Sequence, residues 1–236
     1  METKIDILSF GAHPDDIEIG MAATVAKHIS LGYNTVFVDL TKGERSTNGT
    51  IEQRAREAKK SADILKPVSR INLGIKDGHI DCNLENRQRI VEVVRTYQPA
   101  YIFAPMAKDR HPDHVRCSEL INQAIFDSTL VKFPSSLKPH RVRRVFYYYI
   151  NAFDVTPDIV VDVSEFYDVK LRALSCFESQ FVKGEGDMVT PLNSDYISKI
   201  RCRDKYLGIQ AGFIFGEGFT TQRPLGINNL INGGII

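Results

Sequence analysis

Two short stretches of this chain concentrate side chains that hold metals and move protons. The first is Gly11-Ala12-His13-Pro14-Asp15-Asp16; the second is Asp109-Arg110-His111-Pro112-Asp113-His114. A lone His-Pro-Asp has a plain structural meaning, because His-Pro suits a turn and Asp15 or Asp16 would cap a following helix. Two copies change the balance. Residues 13–16 and 111–114 together offer three His and three Asp, a ligand inventory for one divalent metal with carboxylates left over. A catalytic zinc takes three protein ligands and keeps one position open. His13 and Asp16 flank a helix start and can reach one ion, and His114 supplies the third ligand from the other stretch. Asp15 then stands beside the ion, placed to take a proton from water. His111, protonated, would face the far side of a substrate carbonyl as an oxyanion donor. Ferrous iron suits the same donor set as zinc.

These stretches work together only if the fold brings them into contact. Apolar runs at 5–10 (IDILSF), 35–40 (TVFVDL), 70–73 and 101–104 (YIFA) read as buried strands. Residues 17–31, 51–65, 84–97 and 114–126 carry helical spacing or composition, and Gly32, Pro67 and Pro99 close the first three. The alternation predicts βαβ units and a parallel sheet. In a doubly wound sheet of order 3-2-1-4, strands one and four are neighbours. The crevice opens between their carboxyl ends, where both stretches lie. The second half is less regular. It predicts strands at 144–150 and 159–163, helices at 169–179 and 194–210, and an irregular tail at 226–236. The expectation is one α/β domain over 1–236, with a mostly parallel doubly wound core at 1–130 and a C-terminal extension at 131–236 packed on it.

Composition excludes several alternatives. The chain has 236 residues, 43% hydrophobic and 25% charged, as expected of a large soluble domain and not of a disordered chain. No apolar stretch reaches the roughly 18 residues of a membrane span, so no membrane partner is expected. Residues 1–4 lead straight into a strand without the apolar segment of a signal peptide. Thirty Lys+Arg against 29 Asp+Glu give a formal net charge of +1, so no nucleic-acid partner is expected either. Cys82, Cys117, Cys176 and Cys202 form no C-x-x-C pair and read as free thiols in a reducing cytoplasm. The tail 227–236 is apolar and uncharged, which suits a buried contact in a homo-oligomer.

With A-H-P-D-D at 12–16 and H-P-D-H at 111–114, the chain resembles the PIG-L/LmbE-like family of zinc-dependent N-deacetylases. Shorter tags at 10–21 (FGAHPDDIEIGM), 139–142 (PHRV), 178–181 (ESQF) and 217–219 (EGF) resemble its bacillithiol-pathway branch most. The resemblance implies a Rossmann-like fold and Zn2+ held by His13, Asp16 and His114. It implies Asp15 as general base and His111 as oxyanion or proton-transfer partner, with Asp113 orienting His111. Arg54 matches a family arginine that contacts sugar hydroxyls. Tyr196 matches a mobile tyrosine at the site mouth, and Arg141 resembles an arginine near the catalytic aspartate. A related branch carries a tyrosine two residues before the H-P-D-H histidine; here that position is Asp109. The implied substrate is a small N-acetylglucosaminide, N-acetylglucosaminyl-malate in bacillithiol biosynthesis. Its two carboxylates would be read by cations among Lys42, Arg45, Lys108, Arg110 and Arg141.

Three other readings compete. The same chemistry could act on a chitobiose-type or mycothiol-type compound. A nucleotide-binding module without hydrolysis would want G-x-G-x-x-G after the first strand, and only Gly11 is there. A metal-storage or sensing protein would bind without turnover, and Cys117, three residues past His114, could then be a ligand.

Overall fold

A computed structural model of the protein describes residues 3–227. Chain order is β1 (Ile7–Gly11), α1 (Asp16–Ser30), β2 (Thr35–Asp39), α2 (Ile51–Leu65), β3 (Ser69–Asn72), α3 (Leu84–Tyr97), β4 (Tyr101–Pro105) and α4 (Pro112–Ser128). Then follow β5 (Arg144–Tyr148), β6 (Ile159–Asp162), α5 (Tyr167–Leu174), α6 (Glu178–Phe181), α7 (Tyr196–Ala211) and β7 (Gly216–Thr220). The strands form one seven-stranded sheet of order β3-β2-β1-β4-β5-β7-β6. Pairing is parallel from β3 to β5, and β7 runs antiparallel to both β5 and β6.

The central strands β1, β2 and β4 are mostly apolar and almost wholly buried because both faces of the sheet are covered. Side chains alternate across it. Leu8, Phe10, Val36, Val38, Ile102 and Ala104 join a core containing Ile90, Val94, Leu120 and Ile121 of α3 and α4. Ile7, Phe37 and Phe103 join the opposite core, with Ile17, Met21 and Val25 of α1. That alternation fixes the register: Leu8 lies beside Val36 on one side and Ile102 on the other. Strands β1 and β4 are therefore adjacent, and the chain leaves them in opposite directions across the sheet, β1 toward β2 and β4 toward β5. The crevice of the doubly wound fold opens there.

The second half departs from the sequence expectation. Strands β5, β7 and β6 extend the same sheet rather than packing on it. The helix expected at 169–179 ends at Leu174 and restarts as the short α6. Strand β7 (GEGFT) has no sequence signature, since two of its five residues are glycine. Its place is fixed instead by a buried charge. Helix α1 is broken at Met21 (φ −156°, ψ 21°), and the carboxylate of Glu217 accepts the N–H groups of Ala23 and Thr24 just past the break. Lys170, fully buried, lies 2.7 Å from both Glu217 and Asp204. Gly20 marks a second close approach: a Cβ there would lie 2.0 Å from the Tyr148 ring. The Tyr148 hydroxyl donates to the Phe10 carbonyl across β1. Together these contacts lock α1, and the loop before it, against β5 and β7.

The four cysteines are free. Among the described residues, no helix is long and apolar enough to cross a membrane. The apolar tail expected to bury in an oligomer lies outside the described residues beyond Ile227.

Candidate active site

The loops after β1 and β4 meet at the crevice. His13, Asp16 and His114 are all buried, and one ligand atom from each lies within 4.8 Å of the others. Asp16 is the centre of the group. Its Oδ2 lies 3.6 Å from His13 Nδ1, its Oδ1 lies 3.2 Å from His114 Nε2, and its Oδ2 accepts the His13 backbone N–H. Neither Asp15 nor Asp16 uses its carboxylate to cap α1: Asp15 makes no cap hydrogen bond.

The far nitrogen of each histidine also faces carboxylate. His13 Nε2 lies 3.3 Å from Asp77 and 3.4 Å from Asp113; His114 Nδ1 lies 3.2 Å from Asp109. A proton held on each far nitrogen leaves a lone pair aimed at Asp16. Two lone pairs and a carboxylate converging on one buried point repel unless positive charge lies between them. Without metal, protons supply it. Burial works against a charged His114 ring, but Asp16 and Asp109 outweigh burial and hold it at about 9. Burial likewise opposes charge on His13, and Asp113, Asp16 and Asp77 raise it well above its ordinary value. Burial pushes Asp16 up, yet His114 and His13 hold it well below the usual carboxylate range. Two imidazoles and one carboxylate, each braced by an outer carboxylate or N–H, fit a divalent ion.

Asp15 is held differently. Its backbone sits at φ 130°, ψ −22°, a conformation costly for any residue but glycine and a mark of functional sites. Its carboxylate is 3.0 Å from Arg54 Nη2, yet burial outweighs the guanidinium and pushes it up to about 7. Arg54 is itself buried and also donates to the Pro14 carbonyl, Ser46 and Gln180. Gln180 and Ser179 come from α6, where Ser179 donates to Glu57 of α2, so the second half of the chain closes one wall of the site.

His111 is the exposed histidine of the three. Its ring stacks on His114 with centroids 4.7 Å apart and lies 4.9 Å from the ring of His13. It caps α4 by accepting the Asp113 N–H at Nδ1, and partial burial together with His114 and His13 lowers its pKa. An imidazole accepting at Nδ1 carries its proton on Nε2. His111 can therefore present an N–H donor at Nε2 without the ring protonation expected from the sequence.

These groups line a cleft of about 740 Å³, ample for a small sugar derivative. Exposed Arg45, Arg110 and Arg116 stand at its rim. Gly78, at φ +76°, lets the Arg45 guanidinium lie where a Cβ would come within 1.9 Å of it.

The remaining expected residues divide. Asp113 hydrogen-bonds His111 through its backbone N–H; its carboxylate accepts the Gly78 N–H and lies 3.4 Å from His13, with an oxygen within 4.8 Å of a His111 ring nitrogen. Tyr196 is buried, its hydroxyl bonded to the Ile150 carbonyl and Asn151. Arg141 is exposed on the segment leading into the amino end of β5, the edge of the parallel sheet opposite the crevice, and does not line the cleft. The arginine beside Asp15 is Arg54. Cys117 is buried in the α3–α4 core, and burial raises its thiol well above the ordinary range. Asp77, Asp109 and Asn151 belong to the site but fall outside the His-Pro-Asp cores. Asp109 opens the second stretch, whereas the only sequence signal for Asp77 and Asn151 is position just beyond β3 and β5.

Comparison with known proteins fits this geometry. The family model for PIG-L, GlcNAc-PI de-N-acetylase, matches residues 8–125. A diacetylchitobiose deacetylase from Thermococcus kodakarensis is 31% identical over 229 residues, covering 90% of this chain and 81% of that protein. The crystal structure of a conserved protein from Thermus thermophilus is 32% identical with a TM-score of 0.86, covering 94% of this chain and 96% of its own. The N,N'-diacetylchitobiose deacetylase of Pyrococcus horikoshii is 25% identical with a TM-score of 0.80, covering 91% and 82%. With the family model matching residues 8–125 and a relative 31% identical over 90% of its length, this chain is an amidohydrolase that belongs to the PIG-L family of de-N-acetylases.

Proposed function

We propose that the cleft hydrolyses the N-acetyl amide of a small N-acetylglucosaminyl compound, with zinc held by His13, Asp16 and His114. The observation that carries this reading is that Asp15 and His111, from two separate loops, line one cleft with that trio. The ion would supply Lewis-acid polarisation of the acetyl carbonyl and of a water molecule; ferrous iron fits the same donors. Asp15 accepts the proton of the attacking water, a task suited to a carboxylate lifted to about 7. The Nε2–H of His111 donates to the oxygen that gains negative charge. The C–N bond then breaks, and the nitrogen leaves as an amine after taking a proton from Asp15. Acetate and a free glucosamine nitrogen are the products.

Two aglycones have support. A diacetylchitobiose-type disaccharide stands first, supported by the Thermococcus and Pyrococcus relatives named for that substrate. Glucosaminyl-malate, the bacillithiol precursor, stands second, supported by Arg45, Arg110 and Arg116 at the rim, since guanidinium and carboxylate make strong paired contacts. Acetate release from diacetylchitobiose, N-acetylglucosaminyl-malate and N-acetylglucosamine, with and without a chelator, tests both levels. Chelator-sensitive release from any of them supports the chemistry, and no release from all three rejects it. The larger kcat/KM assigns the aglycone. We place the enzyme in the cytoplasm, supported by its four free thiols. We also read it as a homo-oligomer, supported by exposed Val131, Val189 and Ile214; light scattering that reports only monomer would reject that assembly.

A further inference from the structure

The carboxyl end of β5 is wired to the metal trio through residues that the proposed chemistry does not use. Asn151, three residues past β5, donates its backbone N–H to Asp109 Oδ2 at 2.9 Å and its side-chain Nδ2–H to Asp109 Oδ1 at 3.1 Å. Asp109 Oδ1 also accepts the His111 backbone N–H at 2.7 Å. Its Oδ2 lies 3.2 Å from His114 Nδ1. On the other side, Asn151 Oδ1 accepts the Tyr196 hydroxyl at 2.7 Å.

The direction of these bonds is what matters. An ionised carboxylate only accepts, so every partner of Asp109 must present a hydrogen. Three N–H groups already do. The ring nitrogen of His114 that faces the same carboxylate therefore keeps its proton when a metal ion displaces the one on Nε2, the nitrogen 3.2 Å from Asp16 Oδ1. The amide of Asn151 is fixed by the same logic. Its oxygen receives the Tyr196 hydroxyl, so its nitrogen faces Asp109; a flipped amide would set oxygen against oxygen. Asn151 Nδ2 and His114 Nδ1, 3.4 Å apart, are two donors converging on one acceptor.

We propose that Asp109 and Asn151 are a positioning pair for the metal centre. Asp109 fixes the tautomer and ring plane of His114 and the cap of α4 that carries His111. Asn151 holds Asp109 in place with two bonds, and the buried Tyr196 orients Asn151. The pair acts through His114 and supplies no ligand atom itself. One carboxylate thus sets both the ligand from the second loop and the adjacent oxyanion donor, and β5 reports to the ion through a single amide. This proposal rests on His13, Asp16 and His114 being the metal ligands.

The test is zinc affinity of the full-length protein, read by competition with a chromogenic chelator. Asp109→Asn offers one acceptor oxygen where four donors converge. Loss of such an outer partner of a metal-bound histidine weakens affinity roughly 10–100-fold, and that loss is expected here. Asn151→Ala should weaken zinc in the same direction by less, and Tyr196→Phe by less again. The spectroscopic check is the His114 ring in zinc-loaded, 15N-His protein, assigned by its absence from His114→Ala. Wild type is expected to show a protonated Nδ1 and a metallated Nε2, and Asn151→Ala to show that Nδ1 proton exchanging faster. If Asp109→Asn does not fold, Asn151→Ala carries the test, since its side chain lies in a loop. Wild-type zinc affinity in both variants, with affinity lost in His114→Ala, would overturn the positioning pair and leave the ligand set standing. Zinc retained in His114→Ala would overturn the ligand set instead.

Discussion

Replacing Asp15 by Asn removes one proton acceptor and little else. The backbone at φ 130° is already strained with Asp15 in place, and Asn matches Asp in size and branching, so the amide adds no strain to the loop. Asp15 is outside the metal trio, and zinc content should be unchanged. Arg54 loses an anionic partner but retains the Pro14 carbonyl, Ser46 and Gln180. The stability change has two opposing parts. The lost attraction to Arg54 destabilises, and relief from burying a carboxylate stabilises. Because burial already outweighs Arg54 in lifting Asp15 to about 7, removing the charge should leave the melting temperature equal to or above that of wild type. Catalysis should respond in the opposite sense. A positioned general base contributes about 10²–10⁴-fold, so kcat should fall by that factor, about 3–5 kcal/mol of barrier. Acetate release, metal content and thermal unfolding, all on one preparation, give the answer. Turnover near wild type would show that another group takes the proton. A collapse in melting temperature would show that Asp15 is a structural carboxylate.

Other perturbations probe the supports of the site. His13→Ala, Asp16→Ala and His114→Ala should each lose bound zinc on dialysis, measured by atomic absorption, whereas Cys117→Ser should keep it. Glu217→Gln leaves Lys170 with one buried carboxylate instead of two; breaking a buried pair costs about 3–5 kcal/mol. At this chain length the melting temperature should drop by roughly 6–20 °C, with no change in zinc affinity. Gly20→Ala forces a methyl into the Tyr148 ring. Overpacking of this kind costs about 1–3 kcal/mol, and urea unfolding should show a lower midpoint.

The first half of the fold is legible because its physical signals are local. Strands β1, β2 and β4 are apolar on both faces, and their helices carry their own stops, so the parallel sheet follows from the alternation and the crevice from the doubly wound order 3-2-1-4 that the structure has. The trio and the adjacent His111 are legible for a related reason: His13, Asp16, His111 and His114 sit within two four-residue windows at strand ends. What holds the trio has no such compactness. Asp77 reaches His13 from the loop beyond β3, and Asp109 and Asn151 reach His114 from loops beyond β4 and β5. Each is a common polar residue in a loop; Asp109 opens the second stretch itself, and the sheet order brings Asp77 and Asn151 to the trio. Strand β7 is hidden for a similar reason, since its position follows from Glu217 satisfying N–H groups exposed by the break in α1, a long-range fact without a periodic trace.

Arg54 and Arg141 show where nearness in sequence misleads. Arg141 lies three residues before β5 and ten before Asn151, and a strand advances about 3.3 Å per residue. A side chain at the amino end of β5 is therefore displaced by most of the strand's length from the carboxyl end where the site lies. Arg54 follows a loop and a helix start after β2, 38 positions beyond Asp16, yet its guanidinium touches Asp15. In a parallel sheet the relevant coordinate is which end of a strand a residue follows, not its distance along the chain. Residues after β1, β2, β3, β4 and β5 all arrive at one edge, and here every one of those segments sends a side chain to the cleft. The proposed catalytic groups come from two of them. The others supply the counter-charges and hydrogen bonds that decide where each proton sits, so residues without a motif set the ionisation of the residues that have one.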